Sequence, residues 1–224
     1  MKLTAAQIPL RLRVWLLVFN FVPLIHVLLL VRIGLVEGPA WVRISAVILM
    51  MYGVPPLVAR VVQACIRIPE GRIEMGSVAF LGWWVTAQLQ MIFNRLPMLE
   101  ELLRLVPGLY SNWLRMWGSR IGRLTFWSPG VSVLDRGYLE IGDDVLFGAG
   151  VRLNGHVLQH DTNGALELAL GRIRIGSGAF VGGYSLLTAG TEIAAGDSTR
   201  AYLLSPPFTI WRDGKRWKGE VHET

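Results

Sequence analysis

Cysteine is almost missing from this chain: Cys65 stands alone among 224 residues. A single thiol excludes an internal disulfide and any metal site built from the cysteines of one chain, and it fits a reducing compartment. Charge is scarce as well. Only 17% of residues are charged, and no acid precedes Glu37. With 52% hydrophobic residues and a mean hydropathy of +0.44, this is not the composition of an ordinary soluble domain. The charge that is present is lopsided, +6 net with a pI near 10.0. In a soluble protein that excess would raise nucleic acid as a partner, but no nucleic-acid-binding motif accompanies it. Many of the basic residues instead flank apolar runs, which points to anionic lipid. The nine tryptophans agree, since indole rings favour the membrane–water interface.

Residues 1–74 read as a membrane anchor. Val14 to Val31 is an apolar run of eighteen residues broken only by Asn20, Pro23 and His26. A helix needs about 20 mostly apolar residues to cross the hydrocarbon core, so the run is just long enough. Lys2, Arg11 and Arg13 precede it and Arg32 closes it. A second run, Ile44 to Ala59, contains Pro55–Pro56 and ends at Arg60. It is short and kinked, and either spans or re-enters. A cleaved signal peptide is the rival for the first run, but no small-residue cleavage site follows it and a second apolar run does. Basic residues favour the cytoplasmic side. A transmembrane hairpin with both ends inside satisfies Lys2, Arg11, Arg13, Arg60, Arg67 and Arg72, although Arg32 and Arg43 in the connection weaken the bias. The bulk of the chain is then expected on the cytoplasmic face of an inner membrane.

Residues 75–118 are expected to be interfacial or connecting helices. Trp83 and Trp84 sit in an apolar stretch, and Leu99, Leu102, Leu103 and Val106 recur at helical spacing. Such a helix lies flat on a membrane or caps the following domain, and the sequence leaves both open.

After Gly118 a period of six appears. Ile141, Phe147 and Leu153 are six apart, as are Ile175, Val181, Leu187 and Ile193, and the pair Ile121 and Trp127. Glycine follows the large residue at 122, 142, 148, 176 and 182. Two positions before it stand Thr125, Val145, Val151, Ile173, Ala179, Ser185 and Thr191, mostly small or β-branched. A period of six means three flat faces per coil, with the large aliphatic in a narrow core and glycine relieving crowding at the corners. The expected coil covers residues 119–204. Its phase breaks twice. Two residues are inserted between Trp127 and Ile141, near Asp135–Gly137, and a stretch near Gln159–Arg172 leaves the coil as a loop. Interruptions tend to carry function.

The hexads I-G-D-D-V-L (141–146), F-G-A-G-V-R (147–152), I-G-S-G-A-F (175–180) and V-G-G-Y-S-L (181–186) resemble those of the hexapeptide-repeat acyltransferases. The resemblance implies a left-handed parallel β-helix, a homotrimer with sites between subunits, and a coenzyme A thioester or acyl carrier protein as donor. It also implies a histidine base beside an extruded loop. His156, three residues past Leu153, sits at such a place, and His160–Asp161 is similar to a His–Asp pair often found at the loop. Which histidine inherits the role stays open. The closing G-x-P-A segment survives only as Ser205-Pro206-Pro207-Phe208, and the apolar runs are similar to a smaller group in which such rungs are fused to membrane segments.

Acyl transfer needs a base for the acceptor's proton and donors for the developing oxyanion. Histidine suits the first task, and two of the four histidines fall at the one long break. Backbone N–H groups at Gly155 or Gly183 suit the second, and Asp161 or another loop carboxylate would fix the tautomer. His26, in an apolar helix, and His222, near the end of the sequence, are given structural roles or none. Residues 205–224 form a basic-aromatic tail in which Arg200, just before it, joins Arg212, Lys215, Arg216 and Lys218 around Trp211 and Trp217. The tail either holds coenzyme A phosphates or an acidic carrier protein, or rests on anionic lipid. The leading expectation is a membrane-anchored acyltransferase acting on a hydroxyl or amine of a lipid-linked or amphipathic acceptor. The alternatives are a non-catalytic trimeric scaffold and a hydrolyase similar to the γ-carbonic anhydrases. The latter needs three histidine ligands where the coil offers His156 and His160, so no metal is expected.

Overall fold

The computed structural model describes residues 8–160, 164 and 166–218. The apolar runs form two helical segments, Leu10–Leu35 and Ala40–Cys65, of 26 residues each. At about 1.5 Å per residue either is long enough to cross a hydrocarbon core of about 30 Å. The second run is therefore not short: residues 40–43 and 60–65 extend it at both ends. The first segment comprises α1 (Leu10–Phe19) and α2 (Val22–Leu35), and only 6% of its apolar stretch is buried. Protein thus leaves that segment almost uncovered, unlike the core helix of a soluble domain.

The second segment comprises α3 (Ala40–Ile48), a π turn at Leu49–Gly53, and α4 (Val54–Cys65). Val54 N–H reaches back five residues to the Leu49 carbonyl, and Pro55 and Pro56 have no N–H to offer the next carbonyls. Side chains take them instead. His26 Nε2 donates to Met50 O at 3.0 Å and Trp113 Nε1 donates to Tyr52 O at 2.9 Å. His26 thus ties α2 to the second segment.

Three helices follow, α5 (Val78–Arg95), α6 (Met98–Arg104) and α7 (Leu109–Met116). Ser77 caps α5 by accepting the Phe80 N–H at 3.1 Å. One side of α5 packs on α1, α2 and α4. Phe93, Tyr110, Trp113, Leu114 and Trp117 lie in one core with Leu139, Phe147 and Leu153 of the coil. These helices therefore share a core with the β-domain and cap it. The joint is polar where it is deepest. Arg136, 1% exposed, forms an ion pair with Glu100, and Asn94 Oδ1 accepts from it at 2.8 Å. Gln90 Oε1 accepts its backbone N–H at 2.7 Å, and Tyr110 donates its hydroxyl to Glu100.

The coil is built from three sheets of parallel strands. Sheet one holds β2 (Arg120–Ile121), β5 (Leu139–Ile141), β10 (Ile173–Ile175), β13 (Glu192–Ile193) and β15 (Thr209–Arg212). Sheet two holds β3 (Phe126–Trp127), β6 (Leu146–Phe147) and β11 (Phe180–Val181). Sheet three holds β4 (Ser132–Val133), β7 (Arg152–Leu153), β12 (Leu186–Leu187) and β14 (Leu204–Ser205). The chain visits them in that order, six residues to a face. Val145, Val151, Ala179, Ser185 and Thr191 point inward and are fully buried, as the period requires.

The glycines after the large residues have a different reason from the expected corner bend. A Cβ at Gly122, Gly148, Gly176 or Gly182 would collide with the backbone of the next rung, so glycine sets the stacking distance. Left-handed backbone falls three positions past the core residue instead, at Leu124, Asp144, Gly178 and Gly196 after sheet one, at Gly130, Gly150, Tyr184 and Tyr202 after sheet two, and at Gly190 and Phe208 after sheet three.

Both breaks fall in the corner from sheet three to sheet one. The first is the insertion at Asp135–Gly137, as the spacing requires. The second is not an open loop: β8 (His156–His160) and β9 (Leu166–Leu170) pair antiparallel, and β1 (Gly71–Glu74) adds to β9. Leu168 and Leu170 bury against Ile73, Phe80 and Trp83, which holds this small sheet on α5. Residues 205–218 likewise correct the expected tail and its boundary at 204. β14 and β15 continue the coil, and β16 (Lys215–Lys218) folds back on β15.

Candidate active site

Rung stacking in the interrupted corner brings together two residues 21 apart. Val133 pairs with Leu153, so Asp135 lies directly beneath Gly155. A Cβ on Gly155 would come within 3.0 Å of the Cβ atoms of both Asp135 and Tyr138. Only glycine lets the rungs approach this closely, and the next residue, His156, is thereby set down on Asp135. His156 Nδ1 lies 2.6 Å from Asp135 Oδ2. The other carboxylate oxygen accepts from Trp83 Nε1 of α5 at 3.2 Å. The Trp83 ring meets the imidazole edge-on with centroids 4.7 Å apart.

These contacts fix the chemistry of the ring. Asp135 is 2% exposed and acts as an acceptor, so Nδ1 carries the proton and Nε2 presents a lone pair. Nε2 has no protein partner among the described residues, and the ring keeps 25% of its surface open. Burial pushes the imidazole pKa down, but the Asp135 charge and hydrogen bond together outweigh it, and the net shift is upward. The arrangement is an oriented base, open on the side where an acceptor would approach.

The other predicted residues are placed differently. His160 is exposed at the far end of β8, about 13 Å along an extended strand from His156. Asp161 lies outside the described residues, as does His222. The carboxylate that orients His156 is Asp135, from the rung below rather than from the loop. Gly155 shares the corner of His156. Gly183 belongs to the corner between sheets two and three, against Ala149, so one chain does not bring it to His156. Arg200, Lys215 and Arg216 are exposed on the last rungs and the final hairpin, with no contact to His156 among the described residues. Sequence reasoning missed Asp135 and Trp83. The two-residue insertion pointed at the first, and nothing short of the packing of α5 pointed at the second.

A larger hollow lies elsewhere, along the outer face of sheet one, with a volume of about 830 Å³. Arg120, Glu140, Arg174 and Glu192 alternate there and pair across strands at 3.5, 3.8 and 3.4 Å. That face has no histidine, and these four charges pair with one another.

No protein-family model and no curated protein matches the chain. Among solved structures it is similar to a hexapeptide-repeat-containing acetyltransferase from Vibrio cholerae O1 biovar eltor complexed with acetyl coenzyme A. The two are 19% identical, with 59% of this chain and 87% of that one covered and a TM-score of 0.40. A maltose O-acetyltransferase from Clostridium difficile 630 gives 18% identity, 55% and 84% coverage, and a TM-score of 0.35. Likeness this slight says nothing of activity.

Proposed function

We propose that this chain is a membrane-anchored acyltransferase of the hexapeptide-repeat kind, its coil left-handed, with His156 as general base. The observation that carries the reading is the His156–Asp135 pair at the doubly interrupted corner, with Nε2 open. In the proposed reaction the acceptor hydroxyl or amine attacks the carbonyl carbon of an acyl thioester. His156 Nε2 takes the acceptor's proton as the new bond forms. The tetrahedral intermediate then expels the thiolate, which recovers the proton from the imidazolium. Asp135 holds Nδ1–H throughout and stabilises the imidazolium. The donor is a coenzyme A or acyl-carrier-protein thioester, bound as a substrate.

The acceptor is inferred from the neighbourhood of the base. Trp83 touches both members of the pair and belongs to α5, whose other side packs on the two long apolar segments. An acceptor carried on a membrane lipid would meet His156 without leaving the bilayer surface. The inferred setting is the cytoplasmic face of an inner membrane. Lateral assembly into a trimer has an apolar ladder to use, Phe126, Leu146 and Phe180 in register on the outer face of sheet two. A neighbour's Gly183 corner would then supply the oxyanion donor that one chain does not place.

The test is thiol release by the full chain in detergent, from a panel of acyl-CoA and acyl-carrier donors, with a membrane lipid extract as acceptor. Acceptor-dependent release that is lost in His156→Ala supports the reading. No release with any donor would instead favour the non-catalytic scaffold.

A further inference from the structure

The corner that holds His156 has a second polar hollow on its other side, and nothing in the acyl-transfer reaction uses it. Its volume is about 300 Å³, and its polar walls include Arg60, Gln63, Arg67, Glu70, Tyr138 and Arg172. We propose that this hollow binds a phosphate group and, on the reading above, that it is the phosphate of the lipid-borne acceptor.

Charge is the first argument. Three guanidinium groups face one carboxylate, and that carboxylate is shared: Glu70 meets Arg172 at 3.1 Å and Arg174, outside the hollow, at 2.9 Å. Arg60 and Arg67 pair with no carboxylate among the described residues. The hollow therefore has at least two uncompensated positive charges, and guanidinium groups match phosphate oxygens in a bidentate way.

Position is the second. Arg60 lies in the last turns of α4 and Arg67 just beyond it, where the second apolar segment ends and lipid phosphates would lie. Arg60 does not sweep freely through solvent. Its Nη1 lies 2.7 Å from where a Cβ of Gly118 would stand, and Gln63 Nε2 lies 3.0 Å from where one of Gly137 would. Those two glycines let the end of α4 seat against the coil.

The third argument is the shared wall. Tyr138 lines the hollow and also abuts Gly155, beside His156, while Arg172 Nη1 donates to Gly137 O at 3.3 Å. A phosphate held by Arg60, Arg67 and Arg172 would therefore sit against the same corner as the base. At 300 Å³ the site is at the small end of ligand pockets, suited to a headgroup.

The test is binding, not turnover. Full-length protein in non-ionic detergent is titrated with inorganic pyrophosphate. In phosphatidylcholine nanodiscs it is titrated with phosphatidic acid, and melting temperature is read in both. The expected result is a rise in the wild type that Arg60→Gln/Arg67→Gln loses, its affinity weakened about tenfold or more. Arg123→Gln/Arg152→Gln, which removes the same charge elsewhere, keeps the rise. Where the first pair fails to fold, Arg67→Gln alone, at an exposed side chain, must still weaken binding. A response to phosphatidic acid assigns the lipid source, whereas a response to pyrophosphate alone overturns the lipid acceptor. No response, or equal loss in both pairs, overturns the site. His156→Ala should bind as the wild type does, so failure of the catalytic reading and of this one are told apart.

Discussion

The corner after sheet one and the corner after sheet three are built from the same hexad and differ in everything that matters chemically. The first turns at Leu124, Asp144, Gly178 and Gly196 in left-handed backbone, each three residues past a core isoleucine, and admits no extra residue. The second takes both insertions. It holds Asp135, Arg136, Tyr138, His156 and Arg172, and Trp83 of α5 and Glu100 of α6 reach into it. A regular corner has its backbone geometry fixed by its neighbours above and below, with no freedom to aim a side chain. An inserted residue escapes that register: Arg136 turns to the cap, and Asp135 turns to the histidine of the next rung.

Substitutions at the two corners test this contrast. The largest expected effect is at His156: His156→Ala should lower turnover by about 10²–10⁴-fold. Asp144→Ala at the regular corner should leave it essentially unchanged. Thiol-release rates measure both, and equal sensitivity would break the comparison.

Next is the cap. Glu100→Ala strands the buried Arg136 guanidinium, and losing one partner of a buried pair costs about 3–5 kcal/mol. Denaturant titration in detergent should show that loss, and a cost under about 1 kcal/mol would mean that the corner stands without its cap.

Asp135→Asn should have a smaller effect with a distinctive pH signature. The general base must be neutral, and Asp135 contributes to its raised pKa, so the acid limb of the rate profile should move to lower pH in the variant. Stability should follow the opposite flank. A histidine with a raised folded pKa contributes stability below its unfolded value near 6.5 that is lost as pH rises through the folded value. The melting gap between wild type and Asp135→Asn should therefore be wider below about pH 6 than above about pH 8. A gap independent of pH would detach Asp135 from the histidine. The smallest effect is expected of Asp144→Gly, which relieves left-handed strain at an exposed turn and should change stability by no more than about 1 kcal/mol.

The rungs were legible because a one-dimensional repeat puts its constraint in the sequence itself: every sixth position meets the same core. The insertion at Asp135–Gly137 could be counted for the same reason. The partner of His156 could not, since the eye goes to the nearest carboxylate, Asp161, and a coil makes its contacts a full rung away. The stretch near Gln159–Arg172 reads as a loop because it breaks the period of six, and the alternation of the strands there is satisfied by α5 rather than by the coil. Trp83 and Arg136 depend on helices docking from elsewhere in the chain, for which spacing has no signature.

The paired prolines of the second apolar segment bear on the order in which the molecule is made. They free carbonyls at Met50 and Tyr52, and the partners differ in when they are synthesised. His26 is already made when Met50 emerges, whereas Trp113 follows Tyr52 by 61 residues. The hairpin can therefore close on the ribosome before any rung exists, leaving one acceptor waiting for the cap. The cap then seats the first rung, and each later rung has a template beneath it. A chain whose two apolar segments were exchanged for unrelated ones would lose the Tyr52 carbonyl that Trp113 seeks, and with it a seat for the cap.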